Sequence, residues 1–302
     1  MPPARQTRSL LTLVLVVLLW GSYPPLAKVA LVDFPPLILV TLRTSLASVF
    51  LAVLLLRRGW DEFRALGAAA ELRVFAVLGF AGIFLSTGGT YLGIAFTTAA
   101  SAAILQAVTP ILVAIGARLY LGERLRADQW LGVWCSLLGV LLVITRASWR
   151  AVAGLELQPG DFLLLLSQAG WAVYTIYGKR VLAVHSPAVA TTTAYIAGSL
   201  MLLPVAVLTA PLFPAPNFAA PVAWLVVATQ AFLGGIAHVY WYEAVRSVGP
   251  SQTAIFMNLQ PVVGVLLAYW LLGERIEPGQ ILGGIAVLLG VALTTRPGPA
   301  AR

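Results

Sequence analysis

Hydrophobic positions in this chain form long runs, separated by short segments that contain prolines, glycines and charged residues. A helix that crosses a bilayer core needs about 20 apolar residues, and ten runs approach that length. They cover residues 10–31, 35–56, 73–95, 99–120, 127–146, 161–182, 187–209, 221–245, 250–271 and 278–295. The pattern predicts an all-α integral membrane protein with ten transmembrane helices.

The breaks between the runs have local causes. Pro35-Pro36 ends the first hairpin, because proline disfavours a helix before it. Charged residues follow the second run at 57–62, and prolines at 211, 214 and 216 form a turn. Gly122-Glu123-Arg124 and Gly273-Glu274-Arg275 each follow an apolar run and are expected to end a helix. The short loops leave no room for a soluble domain.

The chain is a tandem duplication with a constant offset of 151 residues. Leu121-Gly122-Glu123-Arg124 falls on Leu272-Gly273-Glu274-Arg275 without a gap. The same offset pairs Trp20 with Trp171, Tyr23 with Tyr174, Lys28 with Lys179, Tyr91 with Tyr242 and Pro110 with Pro261. Duplicated apolar halves are typical of membrane transporters, whose substrate site lies where the halves meet. We therefore expect a first repeat at 1–146, a connecting loop at 147–160 and a second repeat at 161–302.

The basic residues predict the orientation in the membrane. If the N-terminus is cytoplasmic, 14 Lys and Arg residues lie in or beside cytoplasmic loops and 4 lie outside. Cytoplasmic loops carry the excess of basic residues, so both termini are expected in the cytoplasm. Five helices per repeat then place the second repeat upside down, around a central cavity.

Composition agrees with a lipid environment. Hydrophobic residues make up 60% of the 302 positions and charged residues 10%, against roughly 45–50% and about 25% in soluble domains. The net charge of +8 is explained by loop residues that set topology, so no nucleic-acid partner is expected. Cys135 is the single cysteine, and an intramolecular disulfide is excluded. Residues 10–19 are read as part of the first transmembrane helix and not as a cleaved signal.

With these features the whole chain resembles the EamA-type exporters of the drug/metabolite transporter superfamily. The resemblance rests on the repeat, on Trp20-Gly21 in the first helix, on Pro110 and Pro261 within the fourth and ninth, and on the Gly-Glu-Arg motifs. It implies a bacterial inner-membrane carrier with a central cavity that exports amino acids and related metabolites by alternating access. Aromatic amino-acid exporters are the nearest subgroup. A monomer is favoured.

Several side chains are candidates for the substrate cavity. Mid-depth tryptophans need a partner for the indole N–H, so Trp20 and Trp171 are expected to face a cavity; the alternative is that they are packed or face lipid. Arg43 is the one arginine well inside a span, and a buried guanidinium needs compensation. It contacts the substrate or a gate, or else it contacts backbone carbonyls or extends outward to the membrane surface. The other cavity candidates are Tyr23, Tyr91, Gln106, Tyr174 and Asn258.

A second group is assigned to motion or coupling. Pro110 and Pro261 are candidate hinges, because each frees a carbonyl four residues earlier, on Gln106 and Met257, that could line the cavity. Tyr242, like Tyr91, is either a gate or part of an interfacial aromatic belt. His238 and Glu243 are candidates for proton coupling, although Glu243 could simply pair with Arg246.

Other classes of function find less support in the sequence. No spacing typical of a metal site and no phosphate-binding glycine loop occurs, so we expect no cofactor and no ATP-driven transport. An intramembrane enzyme would need a paired nucleophile and base. The expected substrate is a small amphipathic molecule with a carboxylate, aromatic or hydrophobic amino acids being favoured. Efflux of lipophilic cations or drugs, through an aromatic box with Glu243, is the alternative.

Overall fold

The computed structural model describes residues 3–58, 69–97, 99–154, 157–272 and 275–295, and every regular element within these ranges is helical. The first half contains α1 (Pro3–Gly21), α2 (Tyr23–Ala30), α3 (Pro36–Arg58), α4 (Ala69–Leu78), a π-helical segment (Gly79–Gly88), α5 (Gly89–Ala95), α6 (Ala99–Gln106), α7 (Thr109–Leu121) and α8 (Ala127–Thr145). The second half contains α9 (Trp149–Ala153), α10 (Pro159–Val181), α11 (Pro187–Thr209), α12 (Pro221–Val248), α13 (Pro250–Ala254), α14 (Gln260–Leu272) and α15 (Pro278–Thr295). Short 3₁₀ helices cover Ala210–Leu212 and Ile255–Leu259.

Prolines and one glycine define many helix ends. Proline is the first residue of α3, α10, α11, α12, α13 and α15, a position where its missing N–H costs no helical hydrogen bond. Gly122 ends α7 with a φ of 70°, a left-handed conformation that glycine adopts without steric cost. The predicted stop at Gly122 is therefore confirmed. Its twin at 273–274 and the charged loop at 59–62 lie outside the described residues.

Within the described ranges, eight helical stretches are long and apolar enough to cross a membrane. They are Leu11–Ala30, Pro36–Arg57, Glu71–Ala95, Ser101–Leu121, Ala127–Thr145, Pro187–Leu212, Pro221–Val248 and Pro278–Thr295. The protein is thus a multi-pass membrane protein. The other two predicted spans, at 161–182 and 250–271, are helical but are not among the eight. In α10, Ser167, Gln168 and Thr175 reduce the apolar character, and all three side chains are buried within the protein.

The structure corrects three details of the predicted elements. The connection at 147–160 is not entirely a loop, because it contains α9, and α10 begins at Pro159. The first run is divided at Ser22. The fourth is divided at residues 107–108, just before Pro110. Hydropathy did not reveal these breaks because a long apolar run continues beyond each of them.

Equivalent elements of the two halves pack against each other. Helices α8 and α15 run antiparallel, with Gly132 against Gly290 and Gly139 against Gly283, so close that a methyl group on Gly139 would lie 2.7 Å from the Gly283 carbonyl oxygen. Helices α3 and α11 also pack together, and the buried hydroxyls of Ser48 and Ser199, which are 151 residues apart, lie 3.2 Å from each other.

The π-helical segment and α5 pack against α10, while α12 packs against α1, α2 and α3. Each of these contacts joins the first half to the second, so the halves share one hydrophobic core. The candidate site lies inside this core.

Candidate functional site

A cavity of about 110 Å³ lies between the two halves, lined by residues from both. The first half contributes aromatic and polar side chains, and the second half contributes amides, an indole and an imidazole. The lining residues are Trp20, Tyr23, Ala27, Arg43, Ser86, Thr87, Thr90, Tyr91, Ile94, Gln106, Gln168, Trp171, His238, Met257 and Gln260. Among the predicted candidates, the structure therefore brings together Trp20, Tyr23, Arg43, Tyr91, Gln106, Trp171 and His238.

Three indoles and an imidazole form an aromatic cluster, and Trp20, Trp171 and His238 of this cluster line the cavity. The ring centroids of Trp20 and Trp171, which are repeat equivalents, lie 5.3 Å apart in an edge-to-face arrangement. His238 lies 5.0 Å from Trp20 and 5.4 Å from Trp171. Trp241 completes the cluster at 5.4 Å from Trp20 and donates its indole N–H to Thr175 at 3.3 Å. Such pairs stabilise the arrangement by about 0.5–1.5 kcal/mol each beyond burial.

Arg43 brings a positive charge into the cavity wall. Its side chain is 2% exposed, and Nη1 donates a 2.6 Å hydrogen bond to the Tyr91 hydroxyl, which in turn donates to the Gln230 amide oxygen. The guanidinium also contacts the rings of Tyr91 and Tyr23, at 5.1 and 5.4 Å from their centroids. Among the lining residues that the structure describes, none is a carboxylate.

The two repeats differ in the residue at the position of Arg43. Its repeat equivalent is the fully buried Ala194. In the second half, without a guanidinium, the rings of Tyr174 and Tyr242 stack directly with centroids 4.5 Å apart. The Tyr242 hydroxyl donates to the Tyr174 carbonyl at 3.0 Å. Tyr174 and Tyr242 therefore pack against each other and do not line the cavity.

The two candidate hinge prolines lie at interruptions of regular helix. Pro110 follows the break between α6 and α7, and Pro261 follows the 3₁₀ segment that precedes α14. The carbonyls that they free already have partners. Thr109 Oγ1 donates to Gln106 O at 2.7 Å, and the Gln260 N–H donates to Met257 O. Gln106 and Met257 both line the cavity, and each carbonyl also has a local hydrogen bond.

Two other candidates lie away from the cavity. Asn258 is buried and donates from Nδ2 to Ser136 Oγ at 2.9 Å, so it joins the 3₁₀ segment to α8. Glu243 lies on an exposed face of α12, whereas His238 on the same helix is buried in the aromatic cluster. Five residues of α-helix separate the two by more than a full turn, and their side chains face different surroundings.

Sequence reasoning missed several polar lining residues, among them Ser86, Thr87, Thr90 and Gln168. Gln168 had a usable signal, because it precedes Trp171 by three residues and therefore shares its helix face. The Ser/Thr group had none, since single hydroxyls are common inside membrane helices. Tyr195 lines no part of the cavity but lies behind it, 3.0 Å from His238 Nδ1.

A second polar cluster, the Glu123 cluster, consists of Glu123, Lys179 and Ser251. Glu123 follows α7 and accepts a 2.9 Å hydrogen bond from the Ser251 hydroxyl at the start of α13. Lys179, near the end of α10, donates to the carbonyls of Val245 and Arg246 on α12 at 3.0 and 2.9 Å. Burial raises the pKa of the Glu123 carboxyl, and the Ser251 hydrogen bond and the Lys179 charge oppose this shift. The cluster joins ends of helices from both halves.

Comparisons with known proteins agree with this architecture. The model of the EamA-like transporter family matches the chain twice, at residues 7–145 and 158–296. An uncharacterized transporter, YyaM, of Bacillus subtilis is 30% identical over 90% of this chain and 88% of its own. A probable terminal-alkyne amino-acid exporter of Streptantibioticus cattleyicolor is 28% identical over 96% and 94% of the two chains. An uncharacterized inner membrane transporter, YedA, of Escherichia coli K12 is 24% identical over 92% and 87%.

A solved crystal structure also matches, with a TM-score of 0.79 over 96% of each chain at 19% identity, and at that identity it shows a shared fold alone. The two family matches together cover most of the 302 residues, and both of their boundaries differ by the same 151 residues found in the internal repeat. The chain belongs to the EamA-like transporter family.

Proposed function

We propose that this protein is a secondary transporter that exports small amphipathic metabolites, amino acids above all, by alternating access. The observation that carries the proposal is the cavity between the halves. Aromatic faces from Trp20 and Trp171 suit an apolar side chain, and the buried Arg43 suits a carboxylate. Ligand sites commonly combine apolar walls with a few placed polar groups. A relative that is named a probable terminal-alkyne amino-acid exporter supports the same substrate class.

We further propose ten spans in an inverted five-plus-five repeat, in a bacterial inner membrane, with both termini cytoplasmic. The antiparallel contact of α8 with its equivalent α15 supports inversion, since a twofold axis in the membrane plane reverses helix direction. The excess of basic residues in the proposed cytoplasmic loops supports the orientation. Labelling of single introduced cysteines tests it. A labelling result that places residue 60 and the C-terminus on opposite faces of the membrane would contradict the proposal.

Efflux of lipophilic cations is supported less than export of amino acids. The permanently charged lining residue that the structure describes is an arginine, which repels cations, and Glu243 lies on the exposed face of α12. An intramembrane enzyme is the remaining rival, and the transporter names of the relatives speak against it.

Uptake into proteoliposomes tests the proposed function. The panel compares radiolabelled phenylalanine, leucine, alanine, a sugar phosphate and a quaternary amine, with protein-free liposomes as the control. We expect saturable transport of amino acids and none of the sugar phosphate. A cavity of about 110 Å³ is smaller than typical ligand pockets of about 300–1,000 Å³, so phenylalanine requires the helices to separate. Transport of the amine without any amino acid would contradict the proposal.

A further inference from the structure

Five buried polar atoms on cavity-lining residues have no hydrogen-bond partner within the described protein. They are Trp20 Nε1, Tyr23 Oη, Arg43 Nε, Trp171 Nε1 and His238 Nε2. An unpaired buried polar group costs about 1–3 kcal/mol, and more if it is charged. Their concentration around one cavity indicates that a ligand supplies the missing hydrogen bonds.

Three of the five atoms can only donate. Indole nitrogens and the guanidinium carry N–H groups and no acceptor lone pair. Trp20, Trp171 and Arg43 therefore carry unpartnered N–H donors on residues that line the cavity, and the Tyr23 hydroxyl can join them. A carboxylate is acceptor-only and has about four lone-pair sites. The donor set matches a carboxylate, as the proposed function requires.

His238 is different, because the shorter of its two Nδ1 contacts favours one tautomer of the ring. Its Nδ1 lies 2.8 Å from the carbonyl oxygen of Gly234, one turn earlier on α12. A carbonyl only accepts, so Nδ1 carries the proton. In the neutral ring Nε2 is then an acceptor, and it is the atom of the ring that lacks a partner.

Two other acceptors near the cavity lie close to a hydroxyl of the protein, whereas the side-chain amides of Gln106 and Gln260 also line the cavity. The Gln168 amide oxygen lies 2.6 Å from the Thr109 hydroxyl, and the Gln230 amide oxygen accepts from Tyr91. The Asn258 amide oxygen is unpaired but does not line the cavity. Tyr195 connects the Arg43 guanidinium with the His238 imidazole. Its hydroxyl lies 3.0 Å from His238 Nδ1 and also interacts with the guanidinium.

We propose that His238 recognises the ammonium group of the substrate through Nε2, while Arg43 and the indole N–H groups hold its carboxylate. The site thereby selects α-amino acid zwitterions over carboxylates that lack an amine. This inference rests on the proposed function. It adds which residues of the cavity bind each charged group of the substrate, and it names His238 as the residue that distinguishes amino acids from other carboxylates.

The test compares phenylalanine with 3-phenylpropionate, which lacks the ammonium, and with phenethylamine, which lacks the carboxylate. Each competes with radiolabelled substrate for uptake by the full-length protein in proteoliposomes. We expect phenylalanine to bind about 10- to 100-fold more tightly than 3-phenylpropionate, because a hydrogen bond to a charged group contributes that much. In His238→Phe the ratio should fall to about 2 or less, with 3-phenylpropionate little changed.

Further variants separate recognition from packing. His238→Leu replaces His238→Phe if the larger ring prevents folding, as judged by thermal unfolding in detergent. His238→Gln retains an acceptor and should keep part of the ratio. Arg43→Met should weaken both carboxylates and leave phenethylamine bound at least as tightly as before, because a repulsive charge is removed.

Equal weakening of phenylalanine and 3-phenylpropionate by every His238 substitution would overturn the inference and leave amino-acid transport standing. Failure of the wild-type protein to bind or carry any amino acid would overturn the proposed function itself and the inference with it.

Discussion

At the residue scale, Trp171 connects the aromatic cluster to the cavity. Its ring packs against Trp20, His238 and Trp241, and its indole N–H has no hydrogen-bond partner among the described residues. Trp171→Ala is expected to slow transport of phenylalanine about 3- to 10-fold more than that of alanine, because ring–ring contact is lost with the aromatic substrate alone. The measurement is initial uptake in proteoliposomes.

Val173→Ala is the matched control for this prediction. Val173 lies two residues further along α10 and is 48% exposed, so its truncation should not distinguish the two substrates. Equal slowing of phenylalanine and alanine by Trp171→Ala would assign the tryptophan to packing alone.

The stacked pair Tyr174 and Tyr242 packs against Gly82 in the π-helical segment, where a side chain would not fit. A methyl group on Gly82 would lie 2.3 Å from the Tyr174 ring. Overpacking of this kind costs about 1–3 kcal/mol, so Gly82→Ala should lower the thermal unfolding midpoint in detergent. Gly264→Ala is the control, since a methyl group there meets no atom of the described residues within 4 Å. The same midpoint for both variants would contradict the close contact.

At the element scale, breaks near Pro110 and Pro261 divide helices that surround the cavity. Pro110→Ala restores an N–H that can bond to the Gln106 carbonyl, in place of the Thr109 hydroxyl, and should continue α6 into α7. If the break serves as a hinge, flux falls about fivefold or more while the substrate Kd changes by less than about twofold. The same result is expected for Pro261→Ala.

Pro204→Ala provides the comparison for the hinge prediction. Pro204 also lies inside a helix, but α11 continues unbroken from Pro187 to Thr209, and flux should be close to that of the wild type. Unchanged flux in both the Pro110 and Pro261 variants would remove the hinge role.

At the scale of the whole molecule, the Glu123 cluster joins the ends of α7, α10 and α13 and thereby holds the two halves together at one end. Because burial raises the pKa of Glu123, the carboxyl binds a proton more tightly here than when it is exposed. The stabilisation of this conformation is complete below the ordinary carboxyl pKa and is lost as pH rises through the raised value. High pH should therefore favour opening at this end.

Distances between spin labels at positions 125 and 247 measure this opening, in protein whose Cys135 is replaced by alanine. We expect the distance to increase as pH rises across the interval between the ordinary and the raised pKa. Glu123→Gln carries no charge at any pH and should remain closed throughout. A pH response that persists in Glu123→Gln would assign the effect to another group.

Hydropathy and charge determine the class of protein without reference to tertiary structure. The residues that recur at a constant offset of 151 determine the repeat. Long apolar runs can be satisfied only by helices in lipid, and proline and glycine act locally, so helix starts such as Pro36 and Pro187 and the stop at Gly122 follow from the sequence. The aromatic pair Trp20 and Trp171 was also visible, because the repeat marks both positions.

Tertiary structure decided which of the equivalent side chains reach the cavity. Tyr23 and Tyr91 line it beside Arg43, whereas their equivalents Tyr174 and Tyr242, in the half that has Ala194 at the position of Arg43, stack on each other. Helix rotation is set by such packing, and hydropathy is nearly the same on every face of a helix buried among other helices. For the same reason, the contact of Asn258 with Ser136 and the orientation of His238 required the folded structure.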